Sequence, residues 1–315
     1  MKKLFFMLVL LFCVMSLFGQ DLFDLAKTGT PEQVQAAINA GAKIDYRDED
    51  GMTPLMWAAR FNKNPDVITA LVNAGANVND RDETGTTPLM CAAVFNNPDV
   101  ITALLNAGAN VDDRDEDGWT PLMYASWFNE NPDVITTLLN AGANVNDHDI
   151  FGQTPLICAA TYNENPDVIT ALVNAGANVN DRDEDGSTPL MVVATFNENP
   201  DVITTLLNAG AKIDDRDKNG STPLMHAAAI NANPDVITTL LNAGANIHDR
   251  DNRGMTPLML AAIFNENPDV ITALLKAGAD AKAKNIEGKT AFDYAKNNPN
   301  LVNTPAYWEL NNARF

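Results

Sequence analysis

The tripeptide Thr-Pro-Leu returns at a nearly constant interval, starting at Thr53, Thr87, Thr120, Thr154, Thr188, Thr222 and Thr256. A degenerate eighth copy starts at Thr290, and the steps along the series are 34, 33, 34, 34, 34, 34 and 34 residues. A period of this size means a stacked array. Each period is one small unit that cannot bury its apolar face alone, so neighbours must cover one another. A length of 315 residues would otherwise suggest about two globular domains.

One period can be read physically. Thr53-Pro54 starts a helix, because the hydroxyl can cap and proline suits the first helical position. That helix is expected to run to about Phe61, with Leu55, Ala58 and Ala59 on its apolar face. Asn62-Lys63-Asn64-Pro65-Asp66 is a loop leading into a second start, with Asn64 as cap and Asp66 near the positive helix end. Val67, Ile68, Leu71 and Val72 then share one stripe, and Gly75 stops the helix. Asn77 to Thr86 is extended and turn-like, with Gly85 at the bend. Helices of about nine residues are marginal alone in water, so stacking is obligatory.

The pattern Gly-x-Thr-Pro-Leu-x-x-Ala-Ala, then Val-Ile-x-x-Leu-Leu-x-Ala-Gly-Ala-Asn-Val-Asn, then Asp-x-x-Gly, resembles the ankyrin repeat. The likeness runs from residue 21 to 315. It implies an all-α solenoid of stacked helix-turn-helix pairs with β-turn fingers. Residues 20–315 read as one array: an N-terminal cap at 20–50, seven full repeats at 51–287 and a C-terminal cap at 288–315. The last cap diverges through Tyr294, Pro305, Tyr307 and Trp308, and its aromatics are expected to close the final apolar face. Two departures stand out. The slot after Thr-Pro-Leu, usually histidine in the family, reads Met56, Met90, Met123, Ile157, Met191, Met225 and Met259, so apolar packing is expected to replace hydrogen bonds there. Most modules carry one residue more than the usual repeat. The module containing Phe95-Asn96-Asn97-Pro98 lacks it, which places the insertion between the two helices. The recurring Phe/Tyr-Asn-x-Asn-Pro-Asp then predicts a structural ladder of asparagines.

The first residues are a separate object. Lys2 and Lys3 precede an apolar run from Leu4 to Phe18, interrupted only by Ser16, and Gly19-Gln20 leads into Asp21. This is the layout of a secretory signal over residues 1–19, too short for a membrane span of roughly 20 apolar residues. Cleavage near Gly19 is the leading reading. An uncleaved anchor and lipidation at Cys13 are the alternatives. Export to the periplasm or medium follows, with no membrane insertion of the mature chain. The 41 acidic and 21 basic residues set the net charge at −20. Such a surface repels nucleic acid and anionic lipid and suits a partner with a basic face. Of three cysteines, Cys91 and Cys158 occupy the same slot two modules apart. Stacked helices lie roughly 8–10 Å apart, which leaves the two too distant for a disulfide. Both read as buried small side chains.

Motifs that suggest chemistry fail on their details. Asp113-Arg114-Asp115-Glu116-Asp117-Gly118 opens like a calcium loop, as does Asp181 to Gly186. The bidentate glutamate required at the twelfth position is replaced by Tyr124 and Val192, and a helix starts inside the would-be loop. The arginines there are better read as partners of flanking carboxylates. Glu287-Gly288-Lys289-Thr290 resembles the end of a phosphate loop, but Ala283 stands where its first glycine is required. His148, His226 and His248 lie in separate modules and offer no metal pair or catalytic triad. No enzyme, no cofactor and no metal site is expected.

The likeness implies protein binding through finger tips and the exposed side of the first helix, by a monomeric array. Positions that recur between modules are scaffold, and positions that vary are free for recognition. The helix slot reads Arg60, Val94, Trp127, Thr161, Thr195, Ala229 and Ile263. Trp119 follows the finger glycine, and Ile150-Phe151 fills a tip that is mostly polar elsewhere. Trp119, Trp127, Ile150 and Phe151, with Arg60, are the candidate contacts. Two readings of the large apolar groups stand: a hot spot, or side chains packed on each other. Phe61, Phe95, Phe128, Tyr162, Phe196 and Phe264, with Ile230 completing the series, recur so regularly that they read as core or loop packing. Rival functions are an acidic envelope spacer without a fixed partner and a calcium-responsive binder.

Overall fold

A computed structural model of the chain describes residues 22–315. The signal-peptide reading of residues 1–19, with its alternatives at Cys13, lies outside them. Two compact units are present, one ending at Asn144 and one running Val145–Phe315. The first holds α1 (Leu22–Thr28), α2 (Pro31–Asn39), α3 (Pro54–Phe61), α4 (Pro65–Asn73), α5 (Pro88–Phe95), α6 (Pro98–Asn106), α7 (Pro121–Phe128) and α8 (Pro132–Asn140). The second holds α9 (Pro155–Tyr162), α10 (Pro166–Asn174), α11 (Pro189–Phe196), α12 (Pro200–Asn208), α13 (Pro223–Ile230), α14 (Pro234–Asn242), α15 (Pro257–Phe264), α16 (Pro268–Lys276), α17 (Ala291–Ala295) and α18 (Pro305–Asn312). Among the described residues there is no β-strand. Within each unit, first helices pack on neighbouring first helices and second helices on second helices.

The helix starts follow the expected chemistry. Thr53 is extended at φ −93° and its Oγ1 accepts from Met56 N at 3.4 Å, with Pro54 in the first turn. Asn64 Oδ1 accepts from Asp66 N at 3.0 Å. Gly75, at φ +107°, ends α4 in a conformation that L side chains rarely adopt. Methionine at the turn does more than pack. Met56 and Met90 are wholly buried, yet their sulfurs face the Thr53 and Thr87 amides at 3.4 and 3.3 Å. Met191 does the same at 3.5 Å. A weak N–H to thioether contact thus corrects the expectation of apolar packing alone. Thr222 breaks the pattern, because its Oγ1 is buried without a partner.

The asparagine ladder is present. Asn96 Nδ2 donates to Ala59 O at 2.7 Å and to Asn62 O at 3.0 Å, in the module before it. Asn129 reaches Ala93 O and Asn96 O in the same way. In the second unit Asn231 donates to Ala194 O and Asn197 O, and Asn265 to Ala228 O and Asn231 O. Each amide satisfies carbonyls at the C-terminal end of a neighbouring first helix, which that helix cannot satisfy itself. The short module has only Asn96-Asn97 between α5 and α6, so the insertion does fall between the helices. There Asn97 caps Val100 N, one position later than its counterparts cap.

The fingers are stitched by arginine. Arg81 donates to Gly85 O of its own finger and Arg114 O of the next, and pairs with Asp113 at 3.0 Å. Arg216 does the same with Gly220 O, Arg250 O and Asp249. In each pair the arginine is nearly half exposed while the aspartate is largely covered, and such a surface pair is worth about 1 kcal/mol or less, so the ladder orients fingers more than it stabilises them.

The C-terminal cap closes differently from expectation. Phe292, Leu301, Ala306 and Leu310 are buried, whereas Trp308 is half exposed and packs edge-on against Tyr307 at 5.1 Å. Asp293 caps α17, accepting from Thr290 N at 3.0 Å and Thr290 Oγ1 at 2.9 Å. The Thr290 amide, helped by Lys296, holds its carboxyl down at about 2. A depressed carboxyl stabilises the fold above its ordinary value of 3.8 and loses that contribution as pH falls toward 2. Amide exchange at Asp293 and Tyr294 is therefore expected to accelerate over that window. Asp293→Asn should remove the pH dependence, and an unchanged profile in that variant would refute the assignment.

Candidate functional site

In the first unit the finger before α7 is braced to that helix by one carboxylate. Asp115 Oδ1 accepts from Asp117 N at 3.0 Å and Trp119 N at 2.8 Å. Its other oxygen accepts from Tyr124 Oη at 2.6 Å. Burial, then Asp115 itself, pushes the Tyr124 phenol above its ordinary value, so it stays a donor. The brace sets Trp119 against Tyr124 at 5.2 Å and against Trp127 at 5.2 Å. Trp127 in turn lies 6.0 Å from Phe128. Both tryptophans are half-buried. They pack on each other and still present surface, so the two readings of the cluster are compatible.

The same brace links Asp48 to Trp57 Nε1 at 2.6 Å and Asp217 to His226 at 3.1 Å. In the last finger Asn285 donates to Tyr294 Oη at 2.8 Å. The carboxylates that suggested calcium are used in this way. Asp113 faces Arg81 and Asn110, and Asp183 Oδ1 takes the Asp185 and Ser187 amides. Among the described residues no group of three or more His, Cys, Asp or Glu is placed to hold a metal.

Ile150 and Phe151 belong to the second unit. Asp149 Oδ1 accepts from the Phe151 and Gln153 amides at 2.8 Å each, and Phe151 O accepts from Glu184 N at 3.0 Å. The finger backbone is thus held while both side chains stand 54% exposed. Arg60 lies elsewhere, in the first unit. Its guanidinium carbon sits 5.4 Å from the Phe61 ring and 5.7 Å from the Phe95 ring. It is an intramolecular cation on an aromatic pair.

The regular aromatic series is where sequence reasoning went wrong. Phe61, Phe95 and Phe128 in the first unit, and Tyr162, Phe196, Ile230 and Phe264 in the second, are 45% to 57% exposed. They are neither core nor buried loop. Helix phase carried the signal: at 3.6 residues per turn Phe61 lies about 120° from the centre of the Leu55–Ala58–Ala59 stripe. The next residue, Asn62, takes the inward place with its ladder bonds and turns the aromatic out. Cys91 and Cys158 are free and buried, as expected.

Paired helices, glycine-stopped and joined by braced fingers, define a class of rigid stacked-repeat scaffold. The family model for ankyrin repeats matches residues 22–115, 62–149, 122–217, 156–251, 192–285 and 224–304. The chain belongs to the ankyrin-repeat family. Ankyrin repeats generally mediate protein–protein interaction and typically act as non-enzymatic scaffolds. No curated protein matches the chain. No helix of the described residues is long and apolar enough to cross a membrane.

Proposed function

We propose that this protein is a binding array that works outside the cytoplasm, holding a partner protein on its fingers and the exposed side of its first helices. The observation that carries the reading is the braced Trp119–Tyr124–Trp127 cluster, half exposed in slots that vary between modules. Large aromatics on a rigid frame contribute contact area at little ordering cost. The exposed tip Ile150-Phe151 supports the same use of the second unit, and Arg60 supplies a cationic contact on the first. Export rests on Lys2, Lys3 and the apolar run Leu4–Phe18, and cell fractionation tests it directly.

Binding is tested by capture from extracellular and envelope fractions on immobilised protein. Trp119→Ala/Trp127→Ala and Ile150→Ala/Phe151→Ala are compared with the parent at equal melting temperature. A hot spot should lose at least tenfold of a specific species on truncation. Capture that is identical in all three proteins would rule out this face.

A further inference from the structure

Isolated exposed apolar side chains are ordinary, but a row of them is a surface with a use. In the second unit that row is Tyr162, Phe196, Ile230 and Phe264, at the ends of α9, α11, α13 and α15. Tyr162 and Phe196 lie 6.3 Å apart, tilted by 42°. Three observations say what covers it.

The first unit answers with its own residue. Arg60 lays a guanidinium against two successive members of the equivalent row, Phe61 and Phe95. In the second unit the position of Arg60 holds Thr161, Thr195, Ala229 and Ile263. The Thr161 and Thr195 hydroxyls turn inward to Ile157 O and Met191 O, and none of the four residues is a cation. Carboxylates flank the row as well. Lys63 Nζ donates to Phe95 O, which shows that a side chain at this loop position reaches the end of the next first helix. In the second unit that position is Glu164, Glu198, Ala232 and Glu266, all exposed. Finally, each aromatic sits at a helix C-terminus, the negative end of its dipole.

We propose that the edge formed by Tyr162, Phe196 and Phe264 with Glu164, Glu198 and Glu266 binds an extended arginine-rich segment of a partner, one guanidinium per module, lying on the exposed rings as Arg60 lies on Phe61 and Phe95. Cation–π contact and the loop carboxylates act on the same group. Stacked helices are spaced by roughly 8–10 Å, and an extended or polyproline chain advances about 9–10 Å in three residues. The matching ligand therefore carries arginine at every third position. The row belongs to the second unit and the Trp119–Trp127 cluster to the first.

The test uses the full chain and a fluorescent peptide of four Arg-Pro-Ser triplets. Its control has the same composition with the arginines in one block. The periodic peptide should bind about tenfold more tightly at physiological salt. Phe196→Ala, which also removes the ring packed against Tyr162, should weaken it about tenfold, and Glu198→Gln about threefold. Thr161→Arg, which copies Arg60 in preceding two successive rings, Tyr162 and Phe196, should cover them from within and weaken binding without removing any aromatic. Trp119→Ala/Trp127→Ala should leave it unchanged. Equal binding of both peptides would reduce the effect to net charge and overturn the proposal, as would no binding or insensitivity to Phe196→Ala and Thr161→Arg together.

Discussion

Asn231→Ala is expected to destabilise the protein by about 3 kcal/mol, more than any exposed substitution nearby. The side chain is 3% exposed. Its amide donates to Ala194 O at 3.1 Å and Asn197 O at 2.9 Å, and its oxygen accepts from Asn233 N at 2.9 Å. Truncation strands three backbone groups, each worth roughly 1–3 kcal/mol when buried unsatisfied, with partial relief by relaxation. Asn231→Asp should be worse, because it sets a carboxylate against two carbonyls. Asn242, exposed at the end of α14, is the control, and Asn242→Ala should change stability by less than about 0.5 kcal/mol. Urea unfolding measures both. Stability in an array is a sum over interfaces, so the Asn231 variant should also broaden the transition. Equal midpoints for the two variants would show that the ladder carries no stability.

The second large effect concerns thiol reactivity. Burial pushes the Cys91 thiol up to about 12 from an ordinary 9, and burial, then Asp149, raises Cys158 as well. The thiolate is the reactive form, and a rise from 9 to about 12 cuts it about a thousandfold at pH 8. With Cys13 replaced by serine, native protein should react with a disulfide reagent only through rare opening, over hours. In denaturing urea both thiols should react within seconds. Fast labelling of the native protein would contradict the packing around α5 and α9.

Much of the scaffold was legible in the chain. Thr-Pro and Asn-Pro mark every full-module helix start because capping and proline geometry are local. The missing residue beside Asn96 located the loop, since a single module out of step exposes where the others are longer. The arginine pairs and the asparagine ladder followed from charge and from recurrence. The aromatic row did not follow, because recurrence of Phe61 and its equivalents is equally what a core would show. The brace from Asp115 to Tyr124 was also hidden, since it depends on how the finger folds back over the helix it precedes.

The candidate contacts show the same division. Trp119 and Trp127 were singled out by comparison between modules, and the fold then brought their rings to 5.2 Å. Arg60 was selected as a contact for a partner, and the fold sets its guanidinium against Phe61 and Phe95. Sequence alone determined the period, the helix boundaries and the family, because each rests on contacts a few residues apart or on repetition itself. Only the tertiary structure decided which residue turns inward where each first helix ends. At its end one inward place exists between stacked neighbours. A buried amide that must satisfy neighbouring carbonyls claims it, and the larger apolar ring is left outside.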